Sequence, residues 1–153
     1  MSNAEQRFIE AAAALGFTAD VRTMDQSTHT AQEAAAAVGC DVGAIVKSLV
    51  FLADGAPLLV LVSGPNRVDT DVLGRELGAV IEKSDAKRVK AETGYSIGGV
   101  PPFGHPVTLR TVIDPDLLRY DDVWAAAGSP TAVFRIDPDA LLELTGGAVA
   151  NIS

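Results

Sequence analysis

The chain has 153 residues, 48% of them hydrophobic and 21% charged, and its formal net charge at pH 7 is −8. This length fits a single domain over residues 1–153, the composition argues against a disordered chain, and the apolar runs are too short to span a bilayer. The acidity gives no general attraction for nucleic acid, and the lack of a signal-peptide pattern together with a single cysteine, Cys40, predicts a cytoplasmic protein.

In the first half of the chain, hydrophobic periodicity and capping residues predict three helices and a β-hairpin. In chain order the elements are helix 4–15, strand 18–22, helix 30–39, strand 44–52, strand 57–62 and helix 69–78. Asp54-Gly55 is the turn between the two longer strands. Asp69 or Thr70 caps the third helix, and Gly78 ends it.

The second half is predicted to alternate short strands with short helices. Its elements are strand 79–81, helix 84–93, strand 107–113, a helical turn at 114–115, strands 122–126 and 131–136, helix 137–146 and strand 148–152. Ser84 is the predicted cap of the first of these helices, and Gly94 ends it. Because hairpin links interrupt the βαβ order, we expect a mixed α/β fold with a largely antiparallel or mixed sheet.

Lys47 is a charged residue within the otherwise largely apolar predicted strand 44–52. Period-2 alternation places it on one face with Ile45, Leu49 and Phe51. Because an unpaired buried charge is costly, either this face opens onto a pocket or the strand lies at an edge of the sheet. In a pocket the ammonium would bind an anionic or carbonyl group. At an edge it would discourage aggregation while its stem covers the core.

The segment 95–105 contains three glycines and two prolines, so it carries no helix or strand pattern and is predicted to be a shaped loop. Such a loop could bring backbone groups close to a substrate, or it could be a plain connection. It lacks the spacing of a nucleotide-binding P-loop. His105, at its end, is either a proton carrier or an ordinary loop histidine.

Other candidate catalytic groups are sparse. Ser48 has no obvious base, so it is not predicted to be a nucleophile. The two histidines, His29 and His105, and the lone Cys40 lack the paired spacing of a zinc site. No ordered Ser/His/Asp set can be traced, which disfavours a triad hydrolase.

Two polar segments allow more than one interpretation. Asn66, Arg67 and Asp69 follow the second long strand, and turn formation and capping explain Asn66 and Asp69 but not Arg67. Four basic residues between positions 83 and 90 form either a solvated helix face or a local nucleic-acid patch.

Four short segments then occur in a recognisable order, namely 45–51 with its lysine, 66–69, 93–95 and 98–104. Together they resemble the YbaK/prolyl-tRNA editing domain family of trans-acting aminoacyl-tRNA deacylases, over a region from about residue 31 to the C-terminus. The resemblance implies a mixed α/β domain with a strongly curved central sheet flanked by helices. Its pocket would receive the aminoacyl end of a mischarged tRNA.

The resemblance also implies roles for particular residues. Lys47 would contact the substrate, and backbone groups of Gly98 and Gly99 would hold the ester carbonyl or the attacking water, with no metal or other cofactor. Substrate hydroxyl groups and water would carry the reaction more than a protein nucleophile. The other residues predicted to bind substrate are Ser48, Asn66, Arg67, Pro101, Pro102, Phe103, His105, Ser129 and Asp137. Asp137 is equally a helix cap.

We therefore predict a deacylase that removes a small wrong amino acid, alanine or cysteine, from tRNA(Pro). The acidity predicts weak tRNA affinity, or help from a synthetase or an elongation factor, and no membrane partner is expected. The alternative is a non-catalytic module that binds a small ligand or a nucleotide end. A deacylase needs Lys47 and the loop 98–102 to face one open cavity, whereas Tyr95 or Phe103 could fill that cavity in a binding module.

Overall fold

Five α-helices, two short 3₁₀ helices (Val42–Ala44 and Pro115–Arg119) and eight strands lie in residues 2–24 and 30–153, the parts of the chain that this computed structural model describes. His29 lies outside them. The helices are α1 (Asn3–Ala14), α2 (Ala31–Val38), α3 (Thr70–Leu77), α4 (Ala86–Thr93) and α5 (Pro138–Thr145). The strands are β1 (Val21–Thr23), β2 (Ile45–Ala53), β3 (Ala56–Ser63), β4 (Ile81–Lys83), β5 (Arg110–Ile113), β6 (Val123–Ala126), β7 (Ala132–Ile136) and β8 (Ala148–Val149). None of the described helices is long and apolar enough to cross a membrane.

The described strands form one sheet in the order β1-β7-β6-β2-β3-β5-β8, and β4 pairs with β2 outside this path. The hairpin of β2 and β3 is closed by Asp54-Gly55, whose φ angles of 50° and 83° suit a two-residue turn. Parallel pairing joins β2 to β6, β3 to β5 and β5 to β8, while the other pairs are antiparallel. This confirms the predicted mixed α/β fold with a mixed sheet.

β2 shares one of its two edges between two partners. β3 covers the opposite edge from Val46 to Ala53. At the shared edge β6 pairs with Ile45 and Val46, and β4 pairs with the last three residues of β2, 51–53. No described strand therefore lies beside residues 47–50 at this edge. The sheet is split in its middle, at the strand that carries Lys47.

Buried side chains cover both faces of the sheet in three groups. Val46 and Val50 of β2 belong to the largest group, Phe51 belongs to the second, and Ile45 belongs to the third. Because even-numbered and odd-numbered residues of a strand point to opposite faces, the two faces of β2 pack into different parts of the core. The split between β4 and β6 consequently connects both faces of the sheet.

Most predicted elements are present, but several strands are shorter or shifted. The predicted strand 18–22 is observed at Val21–Thr23, and 107–113 is observed at Arg110–Ile113. Only Arg110–Ile113 lie beside a partner, at positions 58–61 of β3. Apolar content predicted the strands, but their ends lie where pairing with the neighbouring strand begins and stops.

The predicted Ser84 cap of α4 is wrong, because Asp85 caps this helix. The Asp85 Oδ1 atom accepts a hydrogen bond of 2.7 Å from the Arg88 backbone N–H. Both residues are common helix caps, so the pattern alone did not separate them. The Ser84 hydroxyl makes no hydrogen bond to the backbone N–H groups at the start of α4.

The cap assignment predicts different stabilities for two neighbouring alanine variants. Asp85→Ala should lower the free energy of unfolding by about 1 kcal/mol, since a cap is worth about that much. Ser84→Ala should lower it by clearly less, because its hydroxyl bonds to no described helix group. Urea unfolding followed by circular dichroism measures both values. Equal losses would contradict the assignment of the cap to Asp85.

Candidate active site

A cleft of about 430 Å³ opens where β2 lacks a neighbour. Its walls come from both faces of β2, from the segment between α4 and β5, from the start of α2 and from β6. The lining residues are Thr30, Ala31, Ala34, Ile45, Val46, Lys47, Ser48, Leu49, Val50, Phe51, Lys83, Ser84, Val89, Ile97, Gly98, Val100, Trp124, Ala125, Ala126 and Val133. No aspartate or glutamate occurs among these described lining residues, so the lysines give the cleft a positive charge.

The uncovered edge of β2 presents backbone hydrogen-bonding groups to this cleft. In the hairpin with β3, alternate residues direct their N–H and C=O groups to opposite sides. The Asp54 N–H points toward β4, where it donates to the Val80 carbonyl at 2.9 Å. By the same alternation, the N–H and C=O groups of Ser48 and Val50 point to the shared edge. β6 and β4 do not reach these two residues, so their backbone groups face the cleft.

Lys47 extends from β2 to the segment that follows β3. Its Nζ atom donates a hydrogen bond of 2.5 Å to the main-chain oxygen of Asn66. Burial lowers the pKa of Lys47, and the positive charge of Arg67 lowers it further, while the carboxylate of Asp114 partly opposes both. One ammonium proton is used at Asn66, and the other two remain available for a bound group.

Asn66 is held by two carboxylates. Its Nδ2 donates to Oδ2 of Asp114 at 2.8 Å and to Oδ2 of Asp116 at 2.7 Å. Asp114 is buried and also accepts from the Ser63 backbone N–H at 3.0 Å. These bonds fix the position of the Asn66 carbonyl, and through it the position of the Lys47 ammonium.

The loop 95–105 meets the cleft through its first half. Gly98 lines the cleft and has a φ angle of 90°, a conformation that favours glycine. Gly99 is buried against the connection between β6 and β7, where an added Cβ would lie 2.7 Å from Cα of Ser129. The Gly99 N–H donates to the Ser96 carbonyl at 3.0 Å. Gly98 therefore faces the cleft. Gly99 allows the loop to pack closely against the connection between β6 and β7.

The second half of the loop lies elsewhere. Phe103 packs in an aromatic group with the rings of Phe8, Phe17 and Phe134, at centroid distances of 5.6 to 5.7 Å. A second cavity of about 290 Å³ is lined by Pro102, Phe103, Gly104 and His105, with residues of α1, β5, α5 and the segments beside them. Pro102, Phe103 and His105, which were predicted to bind substrate, are absent from the lining of the first cleft.

His105 is tied to the loop itself. Its Nε2 lies 2.8 Å from the carbonyl oxygen of Pro101, a buried residue, so the ring nitrogen donates and carries the proton. Burial lowers the pKa of His105, and the bond to Pro101 partly opposes this. The ring holds the loop through this hydrogen bond and also lines the second cavity.

Three other predicted residues occupy different places. Arg67 is exposed, yet near enough to Lys47 to affect its pKa. Ser129 is half-buried behind Gly99, with its Oγ 3.4 Å from Oγ1 of Thr131. Asp137 is exposed and caps α5, accepting from the Ala140 N–H at 2.9 Å. Of these three, none lines the cleft.

Some lining residues were not predicted from the sequence. Thr30 and Ser84 lie at the starts of predicted helices, and Trp124 lies in the predicted strand 122–126. Trp124 reaches the cleft because β6 pairs with the start of β2, a contact between residues about eighty positions apart. Local periodicity carries no signal for such a pairing.

Across the described residues, no group of three His, Cys, Asp or Glu side chains could hold a metal ion.

Comparison with a family model gives a match to the aminoacyl-tRNA editing domain over residues 25–144. The chain is also similar to a crystal structure of a candidate trans-editing enzyme for prolyl tRNA synthetase. The two share 45% identity and a TM-score of 0.95, over 100% of this chain and 98% of the other. The matched region includes β2, the loop 95–105 and the other walls of the cleft.

Two curated relatives extend this picture. EbsC of Enterococcus faecalis, a candidate Cys-tRNA(Pro)/Cys-tRNA(Cys) deacylase, is 28% identical over 81% of this chain and 77% of its own length. A proline–tRNA ligase of Nitratidesulfovibrio vulgaris is 36% identical over 58% of this chain, but the match covers only 16% of the ligase. The chain thus resembles both a separate protein and one part of a much larger enzyme.

The contacts of Asn66 predict a strong effect of a single added charge. Asn66→Asp would place a third carboxylate against Asp114 and Asp116 and would remove both donors. The free energy of unfolding should fall by about 2 kcal/mol, because like charges and lost hydrogen bonds act together in a half-buried place. Chemical denaturation measures the change. Asn151→Asp adds the same charge at an exposed position and is the control; equal effects of both variants would contradict the role of Asn66.

Proposed function

Because this chain belongs to the aminoacyl-tRNA editing domain family, we propose that it is a trans-acting deacylase that hydrolyses the ester of a mischarged tRNA. The observation that carries the proposal is the shared cleft of Lys47 and Gly98. An editing reaction needs a charged donor and a shaped backbone loop around one cavity. Both are available at the split in the sheet.

The openness of the cleft favours catalysis over the alternative, a binding module with a filled pocket. Tyr95 and Phe103, the side chains that could fill it, are 2% and 3% exposed and pack in the main core. Neither lines the cleft. The volume of about 430 Å³ lies in the range of small-molecule sites, about 300–1,000 Å³. This space supports entry of an aminoacyl end.

The proposed reaction adds water to the ester carbonyl carbon. The bond between that carbon and the ribose oxygen then breaks, the ribose oxygen takes up a proton, and the free amino acid and the uncharged tRNA leave. Negative charge develops on the carbonyl oxygen in the tetrahedral intermediate. Donors placed in advance around that oxygen lower the barrier without a protein nucleophile.

Lys47 and the open edge of β2 are the proposed donors. The Lys47 ammonium, fixed by its bond to the Asn66 carbonyl, would orient the ester and stabilise the developing charge. The Ser48 and Val50 N–H groups would add neutral donors at the uncovered edge, and Gly98 would bring the loop backbone against the ester. Gly99 would contribute by its small size, because its close packing against Ser129 lets the loop bring Gly98 to the cleft.

For the substrate we propose tRNA(Pro) carrying a small wrong amino acid, alanine or cysteine. The names of the similar proteins support the tRNA, since one is a candidate trans-editing enzyme for prolyl tRNA synthetase and another a candidate Cys-tRNA(Pro)/Cys-tRNA(Cys) deacylase. The net charge of −8 disfavours strong binding of the whole tRNA. We therefore propose that a synthetase or an elongation factor delivers it.

The first test of this function is a deacylation panel. Alanyl-, cysteinyl-, seryl- and threonyl-tRNAs on several acceptors are incubated with the wild type and with Lys47→Ala. We expect the wild type to cleave alanyl- or cysteinyl-tRNA(Pro) well above the buffer rate. Lys47→Ala should lose roughly a hundredfold, the usual effect of removing one donor to the oxyanion.

Arg75→Ala is the control in this panel, because Arg75 is exposed on α3 and lies outside the lining of the cleft. Its rate should match that of the wild type. If the wild type cleaves no ester, the proposed function fails. If the wild type is active and Lys47→Ala is equally fast, the function stands and the role of Lys47 fails.

The lowered pKa of Lys47 predicts a pH dependence. The ammonium is present below this pKa and is lost as pH rises through it, so the enzymatic rate should decline at a pH below 10.5, the ordinary lysine value. Arg67→Ala should move the decline to higher pH, because removing a nearby positive charge raises the pKa of Lys47. Rates are measured against pH after subtraction of the buffer rate. A shift to lower pH, or none, would count against this assignment.

A further inference from the structure

Two hydroxyl groups in the cleft have no use in the mechanism above. The Oγ atoms of Ser48 and Ser84 are buried and have no hydrogen-bond partner. Among the described residues the other such side-chain atom is Oε2 of Glu92, whose second carboxylate oxygen bonds to Arg88. Buried polar groups are nearly always paired, so two orphan hydroxyls lining one cleft indicate a missing partner there.

The sheet register places both hydroxyls on one face. Phe51 pairs with Lys83, the last residue of β4, and Ser84 is the next residue along the chain. In an extended chain the side chain of Ser84 points to the face opposite to that of Phe51, which is the face of Val50. Paired residues share a face, and Ser48 lies on the same face as Val50 by alternation. Both serines line the same cleft, so one small group bound there could lie between them. Lys47 lies on the opposite face.

The surroundings of the two hydroxyls are apolar. Val46 and Val50 flank Ser48 on β2, and Val89 of α4 and Val100 of the loop complete this side of the cleft. All four valines belong to the main core group. An apolar compartment with two polar atoms fixes the orientation of a small ligand group that has a single polar atom.

We propose that Ser48 and Ser84 select the side chain of the aminoacyl group, and that they favour a β-hydroxyl or β-thiol, as in serine or cysteine, over the methyl of alanine. This inference rests on the proposed function. A hydroxyl or thiol can accept from one serine and donate to the other. A methyl group leaves both serines unpaired, and a site with unpaired polar groups rejects such an analogue.

The selection is tested with alanyl-, cysteinyl- and seryl-tRNA(Pro) and the variants Ser48→Ala and Ser84→Ala. The readout is the ratio of kcat/KM for the seryl or cysteinyl ester to that for the alanyl ester. We expect each variant to lower this ratio roughly three- to tenfold, the range for one neutral hydrogen bond. The double variant should lower it further. Ser96→Ala, which removes an exposed hydroxyl outside the cleft lining, should leave the ratio unchanged.

The other possible results of this experiment also decide whether the two serines select the side chain. An equal loss on all three esters would mean that the serines bind a group common to all substrates, which overturns the proposal. An unchanged ratio in both variants would overturn it as well. If Ser84→Ala fails to fold, Ser84→Cys keeps the side-chain shape with a weaker donor and should lower the ratio in the same direction. A wild type inactive on every ester refutes the proposed function itself, which is a separate result.

Discussion

The division of one strand edge between two partners governs this structure. At this edge β6 covers the start of β2 and β4 covers its end, so the four residues 47–50 have no neighbouring strand on that side in the middle of the sheet. Unpaired backbone groups inside a protein are costly, and here they face a cleft where a ligand or water can pair with them. The cleft, its backbone donors and its connection of two faces all follow from this division.

The surroundings of Lys47 could be predicted from the sequence only in part. Its place in an apolar strand required a pocket or an edge, and the structure contains an edge that is itself a pocket. Alternation predicted the face of Lys47 because it is a local property. The gap depends on β4 and β6, which pair with β2 from about thirty and eighty positions away. Such distant pairings leave no trace in local periodicity, so neither Ser84 nor Trp124 could be placed in the cleft.

The predicted loop shows a similar division. Its glycines and prolines correctly indicated a specialised backbone, but composition could not show that the loop serves two places. Gly98 meets the cleft, whereas Phe103 anchors the far end in the aromatic core. Gly99 joins the two by packing against the β6–β7 connection with no room for a side chain. The shape of the cleft wall therefore depends on the core behind it.

The open edge of β2 also has an evolutionary meaning. Its donors belong to the backbone, so they are specified by topology and persist whatever side chains occupy positions 48 and 50. Mutation can then change the size and polarity of the compartment while the array of N–H and C=O groups remains in place. In the proposed mechanism the backbone donors and the selecting side chains can change separately, which makes this strand a natural starting point for redirecting the cleft to new ligands.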